Sequence, residues 1–280
     1  MERQVLDNAN HYAMPEFVRY SVRDRPSWEF WRNRMTPTDR MPRDEMEANC
    51  RRLDDRSEAL FLGCWGPYGF LRGLMGPEGL SYAFYDDPEL IHDMIAWLAE
   101  RTKRYSLPVI ERLKPEAVYM GEDLCYNHGM LLSPALFREC CGAYYRMVFD
   151  CAQAAGVTVR AVDSDGNVMQ FVDVAVEYGL NCLYPFEVKA GNDLFALRRK
   201  HPRFACVGWL EKEIINEGNE HLIEPELTRK VPPLLAQGGY FPNGDHGIQP
   251  LATHEGMCRF FTLLHDLCGN PEGEFPRIGK

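Results

Sequence analysis

The chain has 280 residues, of which 45% are hydrophobic and 26% are charged. This balance is typical of a soluble globular protein with a sizeable core, and a single α/β domain accounts for the length. The formal net charge of −10 argues against nucleic acid or an anionic membrane surface as the main partner.

The cysteine content and the termini bear on the cellular compartment. The ten cysteines are scattered and form no C-x-x-C motif, and several lie in apolar segments where a thiol behaves as a small hydrophobic group. The sequence shows neither a signal peptide nor an apolar run long enough to cross a bilayer. We therefore expect a cytoplasmic chain with reduced cysteines.

The first part of the chain, residues 1–56, is rich in charge, Met and Pro and contains no convincing strand. It predicts an extended arm from Met14 followed by a short helix in the segment DRPSWEFWRNR. We expect Trp28 and Trp31 to pack against the main body of the protein. The predicted organisation is an N-terminal arm and short helix over 1–56 and a partial barrel over 57–280.

From residue 59 onwards, short apolar segments alternate with helical ones. Five of the six strand candidates alternate with clear helices, which implies parallel strands with right-handed crossovers. The strand candidates are 59–64, 117–120, the first half of 157–167, 181–186, 204–207 and 239–242. A (β/α)8 TIM barrel is preferred to a doubly wound sheet because it brings the strand ends together at one mouth.

Polar groups follow most of these strands. Carboxylates that face one mouth would repel each other unless a cation or shared protons intervened, and oxygen- and nitrogen-rich ligands suit Zn, Mg or Mn. The alternative is that half of these groups cap helices or accept backbone amides. The candidates are Glu122, Asp123, Asp163, Asp165, Glu187, Asp245 and His246.

His246 is the sharpest single candidate, as a metal ligand, a general acid/base or a structural hydrogen-bonding residue. Cys125 and His128 are additional candidate ligands. The remaining candidates are of two kinds. Aromatic residues could line the pocket, although they are equally compatible with core positions. Cations could lie at the barrel mouth, although surface positions are the alternative. These candidates are Tyr184, Phe186, Trp209, Lys212 and Arg72, the last in the glycine-rich segment WGPYGFLRGLMG, where we expect a loop.

Several longer segments resemble one known family. They are LRGLMGPEGLSYAFYDDPELIHDMI, GEDLCYNHGMLLSPALFRE, VDSDGN, YPFEVKAGNDLFALRRKHP and GGYFPNGDHGIQP. In this order they resemble the uroporphyrinogen decarboxylase superfamily of (β/α)8 barrels, in the branch related to cobalamin-dependent methyltransferases. That superfamily contains porphyrinogen decarboxylases and zinc enzymes that move methyl groups between a corrinoid protein and a thiol or a methoxylated or methylamine-type substrate.

The resemblance implies metal-dependent methyl transfer between a methylated small molecule and a corrinoid protein or a thiol. Zinc and a corrinoid carried by a partner protein are the implied cofactors. The site residues are then catalytic Glu122, Asp165 and His246. The metal ligands are Asp163, Asp165, Glu187 and His246, and the substrate contacts are Arg72, Tyr184, Phe186, Trp209 and Lys212.

The sequence departs from the family in ways that bear on activity. The thiol-specific methyltransferases carry a His-x-Cys pair where this chain has Asp163-Ser164-Asp165, which favours an oxygen-rich site. Where relatives have Gly-Gly-Ile-Asp-Lys, this chain has GWLEK over 208–212, and its Trp would narrow the pocket. Tetrapyrrole decarboxylation is the alternative activity, but the arginine-rich N-terminal segment that binds the porphyrinogen carboxylates has no counterpart.

The resemblance also implies that barrel strands one and two are missing. Either the sequence is a truncated relative, or another chain supplies the missing wall. We therefore expect a homo-oligomer or a partner chain that completes the barrel, and a non-catalytic or partner-dependent subunit is a further alternative.

Overall fold

The computed structural model describes residues 2–4, 16–35 and 43–270. The strands in this part of the chain are β1 (Glu2–Gln4), β2 (Glu16–Arg19), β3 (Phe61–Trp65), β4 (Ala117–Gly121), β5 (Cys125–Tyr126), β6 (Gly129–Met130), β7 (Val159–Asp163), β8 (Cys182–Tyr184), β9 (Ala205–Leu210) and β10 (Tyr240–Gly244).

Helices fill most of the intervals between these strands. They are α1 (Arg25–Met35), α2 (Arg43–Arg51), α3 (Pro67–Met75), α4 (Pro77–Asp86), α5 (Pro88–Leu113), α6 (Pro134–Leu136), α7 (Gly142–Ala154), α8 (Met169–Ala175), α9 (Leu194–Lys200), α10 (Ile223–Gln237) and α11 (His254–Cys268). A π-helical turn (Phe137–Cys141) joins α6 to α7, and short 3₁₀ turns cover Val176–Tyr178, Lys212–Ile215 and Glu220–Leu222.

The main sheet has six strands in the order β10-β9-β8-β7-β4-β3. The β3–β4, β8–β9 and β9–β10 pairs are parallel. Apart from the two-stranded β5–β6 hairpin, each strand lies next to the strand that precedes it in sequence, which is the winding of a (β/α)8 barrel. The prediction of an α/β fold with a TIM-barrel-like parallel sheet is confirmed, and the six strands of the described residues do not close into a barrel.

Helix starts follow the capping chemistry of the sequence. The side chains of Asp87, Ser133 and Thr253 each accept a hydrogen bond from a backbone N–H in the first turn of α5, α6 and α11. These contacts satisfy amides that have no partner inside a helix. Gly179 and Gly269 end their helical segments in the left-handed conformation, which glycine adopts readily.

Two local predictions are wrong. The glycine-rich segment WGPYGFLRGLMG is a helix rather than a loop: Gly66 precedes Pro67 at the first helical position, and Tyr68, Leu71 and Met75 are buried at helical spacing. In the N-terminal segment, β1 and β2 pair antiparallel, although we expected no strand there. Strands this short carry too few side chains to show a pattern of alternation.

The chain divides into two compact units. Unit 1 contains residues 1–124, 131–162 and 172–180, and unit 2 contains residues 125–130, 163–171 and 181–280. The predicted boundary at residue 56 stays a prediction. None of the described helices is long and apolar enough to cross a membrane.

The N-terminal helix of unit 1 packs through its tryptophans, as expected. Trp28 is fully buried, and its indole N–H donates to a carboxylate oxygen of Asp93 at 2.8 Å. Trp31 stacks on Trp28 and meets the ring of Trp97 edge-on. The predicted start of the arm at Met14 lies outside the described residues.

Candidate functional site

In unit 2, the polar segment after β7 is held by backbone contacts. Ser164 is fully buried; its Oγ accepts from the amide of Cys125 at 3.2 Å, and its own amide donates to the carbonyl of Tyr184 at 3.0 Å. Asp165 follows with a half-exposed side chain. Burying Ser164 therefore presents the next carboxylate to solvent at the end of the strand.

Glu187, after β8, closes onto the same loop. Its Oε2 accepts from the amide of Gly166 at 3.0 Å, and its Oε1 lies 3.9 Å from Nζ of Lys212. Both side chains of this ion pair are less than one-fifth exposed. The pair is thus partly desolvated, which strengthens its electrostatic attraction.

Asn192, which the sequence analysis missed, links the two loops. Its Nδ2 donates to the carbonyls of Gly166 and Glu187, and its Oδ1 accepts from the amide of Val168. The residue is 5% exposed, so three satisfied hydrogen bonds compensate for its burial. The sequence offered only an Asn directly before the helix cap Asp193, a pattern that looked like ordinary turn chemistry.

Two neighbouring residues after β10, Asp245 and His246, have different roles. Asp245 is 1% exposed, and its carboxylate accepts from the amides of Val188 at 2.8 Å and Lys212 at 3.1 Å. Asp245 therefore fixes the loops after β8 and β9 rather than facing solvent.

His246, the next residue, points its Nε2 at Asp165, with 3.1 Å between Nε2 and Oδ1. Its Nδ1 is buried, has no hydrogen-bond partner among the described residues and lies 3.9 Å from Oδ1 of Asp245. His246 and Asp165 thus form a carboxylate–imidazole pair with one ring nitrogen left over.

The electrostatics around Tyr184 show that carboxylates converge on this part of unit 2. Burial raises the pKa of the Tyr184 hydroxyl, and the negative charges of Asp163, Asp165 and Asp245 raise it further. Of the predicted wall residues, Tyr184 is therefore the one placed among the acids.

Phe186 and Trp209, predicted to contact substrate, belong instead to the core of unit 2. They are 0% and 3% exposed, and their rings meet edge-on at 6.5 Å between centroids. Both residues have a positive φ, of 59° in each case, a conformation that changes the direction of a side chain at the end of a strand. Gly208 precedes Trp209 at φ 109°, where a Cβ would collide with the carbonyl of Pro185.

A buried cation supports this arrangement. Lys230 is fully buried; its Nζ donates to the carbonyl of Trp209 at 2.7 Å, lies 4.2 Å from the centroid of the Trp209 ring and pairs with Glu226. Burial lowers the pKa of the Lys230 ammonium, and the hydrogen bond to Glu226 opposes that shift. Lysine on a helix is usually a surface residue, so the sequence gave no hint that Lys230 is buried.

Glu122, in unit 1, does not face a solvent-filled mouth as predicted. It is 2% exposed, and its carboxyl accepts from the amide of Gly69 at 2.6 Å and from the hydroxyl of Tyr145 at 2.7 Å. Burial raises the pKa of Glu122 to about 8, although the hydrogen bonds favour the charged form. Glu122 is therefore a buried group whose carboxyl is held at the N-terminus of α3.

Arg72 and the remaining candidates occupy ordinary positions. The Arg72 guanidinium forms an ion pair with the carboxylate of Asp123 in unit 1, and the two side chains are 38% and 42% exposed. In unit 2, Cys125 is buried, and the ring of His128 packs edge-on against Tyr126.

Comparisons with known proteins identify the family of the chain. The sequence model of the family described as uroporphyrinogen decarboxylase (URO-D) matches residues 49–267. Among solved structures, the chain is similar to a methyltransferase from Methanosarcina mazei, with a TM-score of 0.56 and 17% identity. The similarity covers 80% of this chain and 64% of that one, so this chain spans less than two thirds of that methyltransferase. No curated protein matches the sequence.

Proposed function

The chain belongs to the uroporphyrinogen decarboxylase family, and we propose that it catalyses metal-dependent transfer of a methyl group from a methylated small molecule. The proposed reaction centre lies in unit 2, with Asp163, Glu187 and His246 as the metal-binding set and Asp165 as the carboxylate that orients the His246 ring. The acceptor is a corrinoid carried by a partner protein or a thiol, as the resemblance to the methyltransferase branch implies.

The observation that carries this proposal is the pairing of His246 with Asp165. Nε2 of His246 lies 3.1 Å from the Asp165 carboxylate, and in the tautomer with its proton on Nε2 the imidazole has its lone pair on Nδ1. That nitrogen is buried and has no partner among the described residues, so it is available to a metal ion or a proton. Metal-binding histidines commonly donate their other N–H to a carboxylate in this way.

The donor set fits a divalent ion. Carboxylate oxygens and one imidazole nitrogen suit Zn²⁺ or Mn²⁺, and no thiolate is required. When bound, such an ion would supply a Lewis acid that polarises the substrate heteroatom or lowers the pKa of an acceptor thiol.

The protein groups have defined tasks in methyl transfer. The bond between the methyl carbon and its heteroatom breaks as the bond to the acceptor forms, and the leaving heteroatom keeps the electron pair. When Nδ1 of His246 does not hold the metal, it can accept the proton of a thiol acceptor and pass that proton to the leaving heteroatom. Asp165 orients the ring, and Asp245 holds the backbone of Val188 and Lys212 in place.

The test is a methyl-transfer assay with the purified full chain. Free cob(I)alamin or a thiol is supplied as acceptor together with a panel of methoxylated aromatics and methylamines, and formation of methylcobalamin or of the thioether is measured. We expect turnover that is lost on chelation, restored by Zn²⁺ or Mn²⁺, and reduced at least about 100-fold by His246→Ala. Failure of every donor with both acceptors, in a protein that retains no metal, would contradict the proposal.

The decarboxylase alternative is disfavoured by charge. The carboxylates of Asp163, Asp165, Glu187 and Asp245 outnumber the Lys212 ammonium in this region of unit 2. A porphyrinogen carries several carboxylates and would be repelled. Incubation with uroporphyrinogen should therefore yield no decarboxylated product.

A partner-dependent subunit is the second candidate, and a separate observation favours it. On β3, an edge strand of the sheet, Phe61 and Trp65 are 65% and 62% exposed. Phe241, on the other edge strand β10, is 52% exposed. Large exposed apolar side chains on edge strands are typical of surfaces that pair with another chain.

A further inference from the structure

Three side chains with different metal-binding atoms meet on the surface of unit 1. His92 lies in the second turn of α5, and Glu139 and Cys140 lie in the π-helical turn before α7. One ligand atom from each residue lies within 4.8 Å of the other two, and Nε2 of His92 is 3.8 Å from Oε1 of Glu139.

The π-helical turn explains how two adjacent residues contribute to one cluster. Successive side chains on an α-helix diverge by about 100°, because the helix has about 3.6 residues per turn. The wider π turn, closed by i→i+5 hydrogen bonds, reduces this angle. Glu139 and Cys140 can therefore approach the same imidazole on α5. π turns of this kind occur frequently at functional sites.

We propose that His92, Glu139 and Cys140 bind a divalent transition-metal ion of the zinc type, with water completing a tetrahedral shell. Imidazole nitrogen, carboxylate oxygen and thiolate sulfur are the three ligand types that zinc uses in proteins. The sulfur ligand excludes Mg²⁺ and Ca²⁺, which prefer oxygen. Binding replaces the Cys140 S–H bond with an S–metal bond and releases the proton to solvent.

The exposure of the ligands fits this assignment. Cys140 is 7% exposed and is fixed by the helix, whereas the side chains of His92 and Glu139 are 49% and 63% exposed. Zinc–ligand bonds of about 2.0–2.3 Å place ligand atoms about 3.3–3.8 Å apart. The two exposed side chains need to move by only about 1 Å to reach that spacing, and rotamer changes at the surface allow such movements.

This site is independent of the proposed function. It uses no residue of the Asp165–His246 centre, and it contains a thiol, whereas that centre is proposed to use oxygen and nitrogen ligands alone. The metal would link α5 to the π turn and so stabilise the folded form of the chain by mass action.

The experiment is a titration of the metal-free full chain with Co²⁺, which takes the place of zinc and reports thiolate ligation through an intense near-ultraviolet charge-transfer band. We expect a band that saturates at one thiolate-bound Co²⁺ per chain and is abolished by Cys140→Ser, whereas Co²⁺ at the Asp165–His246 centre adds no such band. His92→Gln, which keeps the buried thiol, should weaken Co²⁺ binding at least about 10-fold. Asp165→Ala should leave the band unchanged.

Cys258→Ser is the matched control. Cys258 and His254 form another thiol–imidazole pair, with Sγ 3.7 Å from Nδ1, one turn apart on α11. We expect the band to persist in this variant, with circular dichroism confirming that all variants are folded. Absence of the band, its survival in Cys140→Ser, or unchanged affinity in His92→Gln would overturn the proposal; should Cys140→Ser fail to fold, His92→Gln decides.

Discussion

The imidazole of His246, after β10, lies within hydrogen-bond distance of the carboxylate of Asp165, after β7, with 3.1 Å between Nε2 and Oδ1. Two strand ends that are distant in sequence thus combine into one acid–imidazole pair. Because this contact uses Nε2, the buried Nδ1 is the ring nitrogen that can bind a metal ion or a proton.

We predict that this pair matters more for chemistry than for folding. Asp165→Ala and His246→Ala should each lower bound metal and methyl transfer while changing the free energy of unfolding by only about 1 kcal/mol, because neither side chain is deeply buried. Metal analysis, activity and urea unfolding provide the measurements. His221→Ala, at an exposed position of unit 2, is the control and should behave as the unchanged protein does. Collapse of either variant, or unaltered metal content and activity in both, would argue against the role.

Asp245 should show the opposite behaviour. In Asp245→Asn, one carboxylate oxygen becomes an amide N–H₂ that faces a backbone donor from Val188 or Lys212. Leaving such a buried donor unsatisfied costs about 1–3 kcal/mol. Urea unfolding should therefore show a clear loss of stability, whereas Asp165→Asn, at a half-exposed position, should show almost none. Equal stabilities of the two variants would contradict the anchoring role.

Glu122 should give the protein a distinctive pH dependence. Its pKa rises from 4.5 to about 8 on folding, so the folded state holds a proton that the unfolded state has already released. The contribution of the protonated Glu122 to the free energy of unfolding is therefore fully present below pH 4.5 and is lost as the pH rises towards 8. Each unit of pKa difference between the folded and unfolded states corresponds to about 1.4 kcal/mol of unfolding free energy. This conversion gives an upper bound, because the structure can relax when Glu122 ionises.

Glu122→Gln, which mimics the neutral carboxyl, should remove this dependence. We expect the free energy of unfolding of the variant to vary less between pH 5 and pH 8 than that of the unchanged chain, measured by urea unfolding across that range. Glu116→Gln is the control, because Glu116 is an exposed carboxylate whose pKa is lowered, chiefly by the amide of Leu60. An identical pH profile for Glu122→Gln and the unchanged chain would refute the assignment.

The buried Lys230–Glu226 pair should be strongly coupled. Lys230→Met leaves the mostly buried carboxylate of Glu226 without its closest cation and should cost about 3 kcal/mol. Adding Glu226→Gln should restore part of that loss, because the double variant buries no charge there. Urea unfolding of both single variants and of the double variant completes a double-mutant cycle. Strictly additive changes in the free energy of unfolding would show that the two groups act independently.

The exposed aromatics on the edge strands predict association. We expect light scattering at micromolar concentration to show an oligomer, because exposed apolar groups and unpaired strand edges favour contact with a second copy. Phe61→Ser together with Trp65→Ser should shift the protein towards the monomer while preserving its circular dichroism. A monomeric unchanged chain with a cooperative melt would contradict this expectation.

The sequence by itself determined the alternation of strands and helices and the direction of the sheet. Asp87, Ser133 and Thr253 could be recognised as caps because a cap and its amide partner lie within one helical turn. Apolar runs that alternate with such helices admit few topologies other than a parallel sheet. The same local logic identified Asp165 and His246 as residues at strand ends.

Only the tertiary structure decided what each polar residue at a strand end does. Asp165 and Asp245 both follow β-strands, yet one is half exposed and the other is buried against two amides from distant loops. Phe186 and Trp209 also follow strands, yet both are buried and both have a positive φ. Burial and hydrogen-bond partners depend on residues far away in sequence, so no local pattern encodes them, and they determine whether a side chain anchors the fold or faces a substrate.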